Sequence, residues 1–354
     1  MGKRFTPPVA ISIMAVSACV SVGLCLFAPT LATNANKAIV DTLPESGGNH
    51  YLESLQAKDY QSIYSQLNQA NPTLNTYDGF THKLESVYAD YDVNQLSVAK
   101  SDDPTKMYVT YDNKIIHDLS IVKTDQGYVG IPVFEDSKEY VIEVPTGSSL
   151  SINGFSVPSS SKTTSDTIAT VMDGINDTYY PDVVSMDRYT VTNLYELESM
   201  EVNNQACDIM QDVVSKTYYC GKDVTSSDLN DWVFAAAKAI AAYPAKEGSV
   251  GAVANYVLSD SDFYQAYRTM ENTWFTAHNS AVFSNETLIN AIDIGNDNLL
   301  VQLAMDYLVS SSSGSKNYHI GFQMALYPTG NGYKIAGFGV DSTLNDAYKG
   351  VSYD

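Results

Sequence analysis

Positive charge is scarce in this chain of 354 residues: 20 Lys and Arg stand against 41 Asp and Glu, and the formal net charge is −21. A surface of that sign repels nucleic-acid phosphates and anionic headgroups. No basic stripe interrupts it, so no nucleic-acid partner is expected. Histidine is scarce too, with 5 scattered copies, and no Cys/His pair has metal-ligand spacing. No phosphate-cradling glycine loop and no nucleophile elbow occur. "SDSD" at 259–262 and "YADYD" at 88–92 lack the full ligand series of a calcium loop. No metal and no cofactor is therefore expected. Cysteine is limited to 4 copies, of which Cys19 and Cys25 sit in an apolar N-terminal stretch and only Cys207 and Cys220 lie outside it.

Charge is also missing between Arg4 and Lys37. The apolar run from Pro8 to Ala32 exceeds the ~20 helical residues that cross a bilayer. Lys3 and Arg4 ahead of it put the N-terminus in the cytoplasm and the rest outside. Three fates are open: an uncleaved anchor, a signal peptide cut after Ala32 or Ala35, and a lipoprotein attached at Cys19 of "VSAC". The adopted reading is a signal-anchor over 1–32, making a single-pass cell-membrane protein with extracytoplasmic C-terminal domains, or a secreted one if the segment is cleaved. "LPESG" at 43–47 has the form of a sortase signal. It lies just behind the N-terminal segment, however, and is assigned to a linker over 33–48.

The chain as a whole is 44% hydrophobic, enough for real cores. "NHYLESLQAKDYQSIYSQL" reads as a helix with Leu52, Leu55, Ile63 and Leu67 on one face. A second helix is expected over 77–88, and β-rich runs come next, broken at Asp112-Asn113 and at "TDQG". Residues 49–139 thus read as a first α+β module. "EVPTGSSLSINGFSV" at 143–157 reads as a hairpin turning at Asn153-Gly154, and "YTVTNLYELESMEV" supplies further strands. Together they suggest a small β connecting unit over 140–202. A second module over 203–341 repeats the order of the first. Helices are expected at about 204–218 and 227–243, and a third is capped by Asp260 or Ser261 with a face running from Phe263 to Trp274. Four long strands then run from about 286 to 340. Residues 342–354 form a tail.

Cys207 and Cys220 pose a conflict. An oxidising exterior favours a disulfide, yet Ala206, Ile209, Met210, Val213, Val214 and Thr217 recur at helical spacing. In one straight helix that separation is ~20 Å, against the ~7 Å a disulfide tolerates. Both readings stay open.

Helices followed by a curved antiparallel sheet resemble the cone-shaped nuclear transport factor 2-like fold, shared with ketosteroid isomerases. The stretch "YLESLQAKDYQSIY" and the unit "VPTGSSLSINGFSV … YTVTNLYELESMEV" resemble parts of exported, membrane-anchored Gram-positive proteins of TcaA-like architecture. The zinc ribbon that often opens such chains is absent here. An anchor followed by tandem modules with no catalytic constellation points to a non-enzymatic binding protein of the cell envelope, with a wall component or envelope protein as its partner. The resemblance to a cone fold implies an alternative, a small-ligand binder or isomerase-like enzyme using the second cone. Such a site needs a carboxylate base and a donor in an apolar pocket. The candidates are Asp293, Asp306, Tyr307 and His319, with strand alternation placing Asp306 and Tyr307 on opposite faces. Tyrosine is abundant, with 26 copies. That suits glycan or peptide recognition, though tyrosine is also a common strand residue. "NDT" at Asn176 and "NET" at Asn285 match sequons but read as chance in a bacterial chain.

Overall fold

A computed structural model describes residues 43–70, 73–125, 127–134, 138–270 and 278–344. The anchor expected over 1–32, with Cys19 and Cys25, lies outside the described residues, as do linker residues 33–42, Trp274 and the end of the tail. Among the described residues no helix is long and apolar enough to cross a membrane. The chain divides into two compact units, Met1–Asp136 and Ser137–Asp354.

The first unit places helices α1 (Pro44–Gln56), α2 (Tyr60–Ala70) and α3 (Tyr77–Tyr88) before strands β1 (Ser97–Lys100), β2 (Lys106–Tyr111), β3 (Lys114–Thr124) and β4 (Gly127–Val133). The strands form an antiparallel sheet in sequence order. Tyr51, Leu55, Ile63, Phe80 and Leu84 from the helices and Val109 and Leu119 from the sheet are buried. The Thr76 hydroxyl caps α3, accepting from Gly79 N at 2.9 Å. Two expectations need correction. The run expected as one helix breaks at 57–59, where Lys58 has φ +55°. Residues 44–48, assigned to a linker, are the first turn of α1. Pro44 suits that position because its missing N–H would be unpaired anyway. Gly47 and Gly48 serve packing here: a Cβ on Gly47 would stand 2.9 Å from the Val129 carbonyl carbon, and one on Gly130 2.8 Å from the Gly47 oxygen. Helix and sheet touch backbone to backbone.

The second unit opens with strands: β5 (Lys138–Pro145), β6 (Leu150–Ile152), β7 (Phe155–Ser156), β8 (Lys162–Ile168), β9 (Ser185–Leu194), β10 (Met200–Val202), β11 (Gln205–Ala206), β12 (Asp208–Gln211) and β13 (Tyr218–Asp223). Helices α4 (Ser227–Ala242), α5 (Val250–Ala254) and α6 (Asp262–Thr269) come next, then β14 (Ser280–Gly295), β15 (Asn298–Ser311), β16 (Gly314–Thr329) and β17 (Gly332–Val340). Nine strands make one sheet in the order β17-β16-β15-β14-β13-β5-β9-β8, with β12 also on β13. The sheet curls into a half-barrel, so the architecture is mixed α+β. A small sheet, β11-β10-β6-β7, stands apart from it. Its β6–β7 turn uses Asn153 and Gly154 at φ +53° and +81°. The Asn153 carboxamide also takes N–H bonds from Glu198 and Ser199 at 3.0 and 3.1 Å, tying the turn to the approach to β10.

No helix forms over 204–218. Residues 205–206, 208–211 and 218–223 are strands, and Val214, at 69% exposed, shares no face with buried Met210. The chain doubles back at Lys216 (φ +62°), Ile209 pairs with Cys220, and Cys207 and Cys220 form a disulfide with Cα atoms 5.6 Å apart. Nor does the second unit begin with helices. β5 pairs in parallel with β13 at Ile142 and Tyr218, so residues 140–202 and 203–341 share one sheet where the sequence suggested a connector and a separate module.

The long strands bury both faces. On one side Leu299, Val301, Leu303, Met305, Phe322 and Met324 pack against α4 and α6 through Val233, Ala236, Ile240 and Tyr267, with Trp232, Phe263 and Phe338 at the margin. On the other, Ile292, Leu300, Ala325, Tyr327 and Ala336 pack against Ala169, Met172, Ile175, Val183, Val184 and Tyr219. That second layer holds the candidate site.

Candidate functional site

The segment from Thr170 to Asp182 crosses this layer as short 3-10 turns between β8 and β9. Ala169, Met172 and Ile175 sink its apolar side into the core. Its start is held by a buried carboxylate. Glu143 and Arg188 face each other across β5 and β9. Arg188 donates to Glu143 Oε1 from Nε at 2.9 Å and Nη2 at 2.7 Å. Glu143 Oε1 also accepts from the Thr170 hydroxyl at 2.5 Å, and Oε2 accepts from Thr170 N at 2.8 Å and from the Tyr219 hydroxyl at 2.8 Å. The Tyr219 oxygen in turn accepts from Val171 N at 3.0 Å. Burial, with Glu143 beside it, pushes the Tyr219 phenol well above its ordinary value. Glu143 is fully buried, and five donated bonds offset its desolvation.

The middle of the segment is held at Gly174, whose carbonyl accepts from Asp262 N at 2.8 Å at the start of α6. Gly174 has φ +89°, and a Cβ there would meet the Asp262 side chain at 3.1 Å, so no other residue fits without strain. The Ser261 hydroxyl caps α6, accepting from Tyr264 N at 3.2 Å. At the far end Asn298, itself buried, donates to the Asp182 carbonyl at 3.1 Å. The Tyr327 hydroxyl donates to the Asp182 carboxylate at 2.8 Å.

Three concavities lie along this segment. One of about 320 Å³ lies against β17, walled by Thr170, Val171, Asp212, Phe263, Leu300 and Gly337. Asp173 lines it and also the next, of about 520 Å³, with Asn176, Tyr180, Asp260 and Asp262. The third, of about 600 Å³, sits at the tips of the β14–β15 and β16–β17 hairpins among Tyr179, Asp182, Asn296, Asp297 and Tyr327. Among the described residues, none of the three is lined by Lys, Arg or His, whereas six aspartates are. The tyrosines are tied to carboxylates: Tyr179 donates to Asp260 at 3.0 Å as Tyr327 does to Asp182. The rings of Tyr179 and Tyr327 meet edge-on at 5.2 Å. Burial raises the Tyr327 phenol to about 12, helped by Asp182, and raises Tyr179, helped by Asp260. These phenols stay protonated and hold the carboxylates in place. The Tyr327 ring is buried in the core, so the result is a track of fixed carboxylates beside the half-buried rings of Tyr179 and Tyr180, able to bind an extended chain by stacking, hydrogen bonding and charge.

Of the four residues singled out in sequence, only Asp306 and His319 come together. Asp306 and His319 are cross-strand partners on β15 and β16, with Asp306 Oδ1 2.8 Å from His319 Nδ1. Asn285 donates to the other Asp306 oxygen at 2.7 Å. The His319 bond, then those of Asn285 and Asn317, hold the Asp306 carboxyl below its ordinary value. Tyr307 points to the opposite face, buried, with its ring stacked on Phe283 at 4.3 Å. Burial raises its phenol to about 12. Asp293 closes the β14–β15 turn by accepting from Gly295 N at 2.8 Å. Among the described residues no group of three His, Cys, Asp or Glu is placed to hold a metal ion. The track escaped sequence reading, although "DGINDTYYPD" at 173–182 concentrates Asp, Asn and Tyr between two strands. The chain matches no known protein family, no curated protein and no solved structure.

Proposed function

We propose that this is an extracytoplasmic, membrane-anchored binding protein of the cell envelope, and that the tyrosine–aspartate track of the second unit is its recognition surface. The observation that carries this reading is the track itself: an aromatic and acidic surface that part-buried hydrogen bonds fix at both ends of 170–182. The Cys207–Cys220 disulfide supports an oxidising compartment, as does the charge pattern of the first 37 residues. Helices laid on an antiparallel sheet in the first unit, and on one face of the half-barrel in the second, support kinship with cone-like modules. In the second unit the side facing the helices is filled by Leu, Val, Met, Phe and Tyr side chains. That filling favours recognition at the surface over chemistry inside a cone.

Two measurements test the proposal. On intact cells, added protease should digest the second unit while a cytoplasmic marker survives; survival of both would sink the topology. On isolated envelopes, the detergent-solubilised full chain should be retained, and the variant Tyr179→Ala/Tyr180→Ala, at two half-buried rings lining the concavities, should wash off. Equal retention of both would exclude the track as the recognition surface.

A further inference from the structure

We infer that the partner of the track is a cationic chain, an extended peptide segment carrying lysine side chains. The inference rests on the track being the recognition surface and adds the chemistry of what it recognises. Charge complementarity carries it. All three concavities combine carboxylates with aromatic or apolar walls, and among the described residues none contains a positive group that would neutralise them. Salt bridges take up other carboxylates of the unit, such as Glu143 with Arg188 and Glu286 with Lys238. Along the track Asp182 and Asp260 are instead held by tyrosine hydroxyls, which orient a carboxylate without cancelling its charge. A lysine side chain fits such a surface in two ways. Its methylene stem lies along a ring face, and its ammonium reaches the carboxylate beyond. Neutral polymers gain from the rings but nothing from the charge, and anionic ones are repelled.

The test uses the full chain in neutral detergent and fluorescein-labelled octalysine, read by anisotropy at low and at physiological salt. Asp182→Asn/Asp260→Asn removes two charges yet leaves both tyrosine hydroxyls an acceptor. Asp102→Asn/Asp112→Asn removes two exposed charges from the first unit as a control. The inference predicts saturable binding that weakens with salt, falls about tenfold in the track variant and stays unchanged in the control. No binding, or equal loss in both variants, overturns it. Neutral N-acetylglucosamine oligomers separate the recognition surface from the chemistry of its partner. If they bind, Tyr180→Ala abolishes that binding and octalysine fails, the track stands and the cationic partner falls. If neither probe binds and Tyr179→Ala/Tyr180→Ala leaves envelope retention unchanged, both fall.

Discussion

The second unit uses carboxylates in two contrasting ways. Glu143 and Asp187 are fully buried, each under several donors. Asp187 accepts from Lys162 at 2.6 Å, Ser165 at 2.5 Å and Gly147 N at 3.1 Å. Asp182 and Asp260 belong to concavities open to solvent, and each is met by a tyrosine. In the interior, every lone pair left without a donor would cost folding energy, so the network is saturated and closed to ligands. At the surface, water solvates the remaining oxygen, and that oxygen is free to exchange water for a partner. The interior set also supports the surface set, because Glu143 holds Thr170 and Tyr219 holds Val171. One chemical group thus builds the platform in one place and stays open to solvent in the other, and partner saturation distinguishes the two.

The contrast breaks most visibly at Arg188. Arg188→Ala would leave Glu143 buried without its counter-charge, and chemical denaturation should show a loss of about 3–5 kcal/mol. A loss below 1 kcal/mol would mean the interior carboxylate is not under this constraint. Next in size, Cys207→Ser/Cys220→Ser opens the loop braced on β13, the strand that supplies Tyr219. The expected cost is about 3 kcal/mol, measured against wild type under non-reducing conditions. Adding reductant to wild type should reproduce it.

Acid separates the two sets as well. Lys162 and Ser165, with Gly147 N, outweigh burial and hold the Asp187 carboxyl at about 2, below the ordinary 3.8. A depressed value contributes stability that is fully present above about pH 4 and lost as pH falls through about 2. The contribution is about 2 kcal/mol. Asp187→Asn should remove that part of the acid limb, and an unchanged limb would contradict the assignment. The smallest effect belongs to the track: Asp182→Asn should alter stability by no more than about 0.5 kcal/mol while weakening octalysine binding.

Sequence reading reached what periodicity governs. Alternation located the strand cores of β15 and β16, helical spacing gave α4, and Asn153-Gly154 gave its turn. It failed where one pattern serves two structures. Ile209 and Met210 fit a helix as well as β12 in so short a run, and the glycines of α1 read as linker although they permit close packing. The track was out of reach for a different reason. Its Tyr179–Asp260 and Tyr327–Asp182 bonds join residues 81 and 145 positions apart, so only the fold brings them together. Asp306 and His319 were singled out in sequence, and the strand register pairs them, but the pair leads to no enclosed site.

Hydrogen exchange of the full chain, with and without octalysine, tests the central claim most directly. Recognition at the track predicts added protection over 170–182 and at the hairpin tips near 296 and 329, with the first unit unchanged. Protection spread evenly over both units, or confined to strands far from these residues, would contradict it.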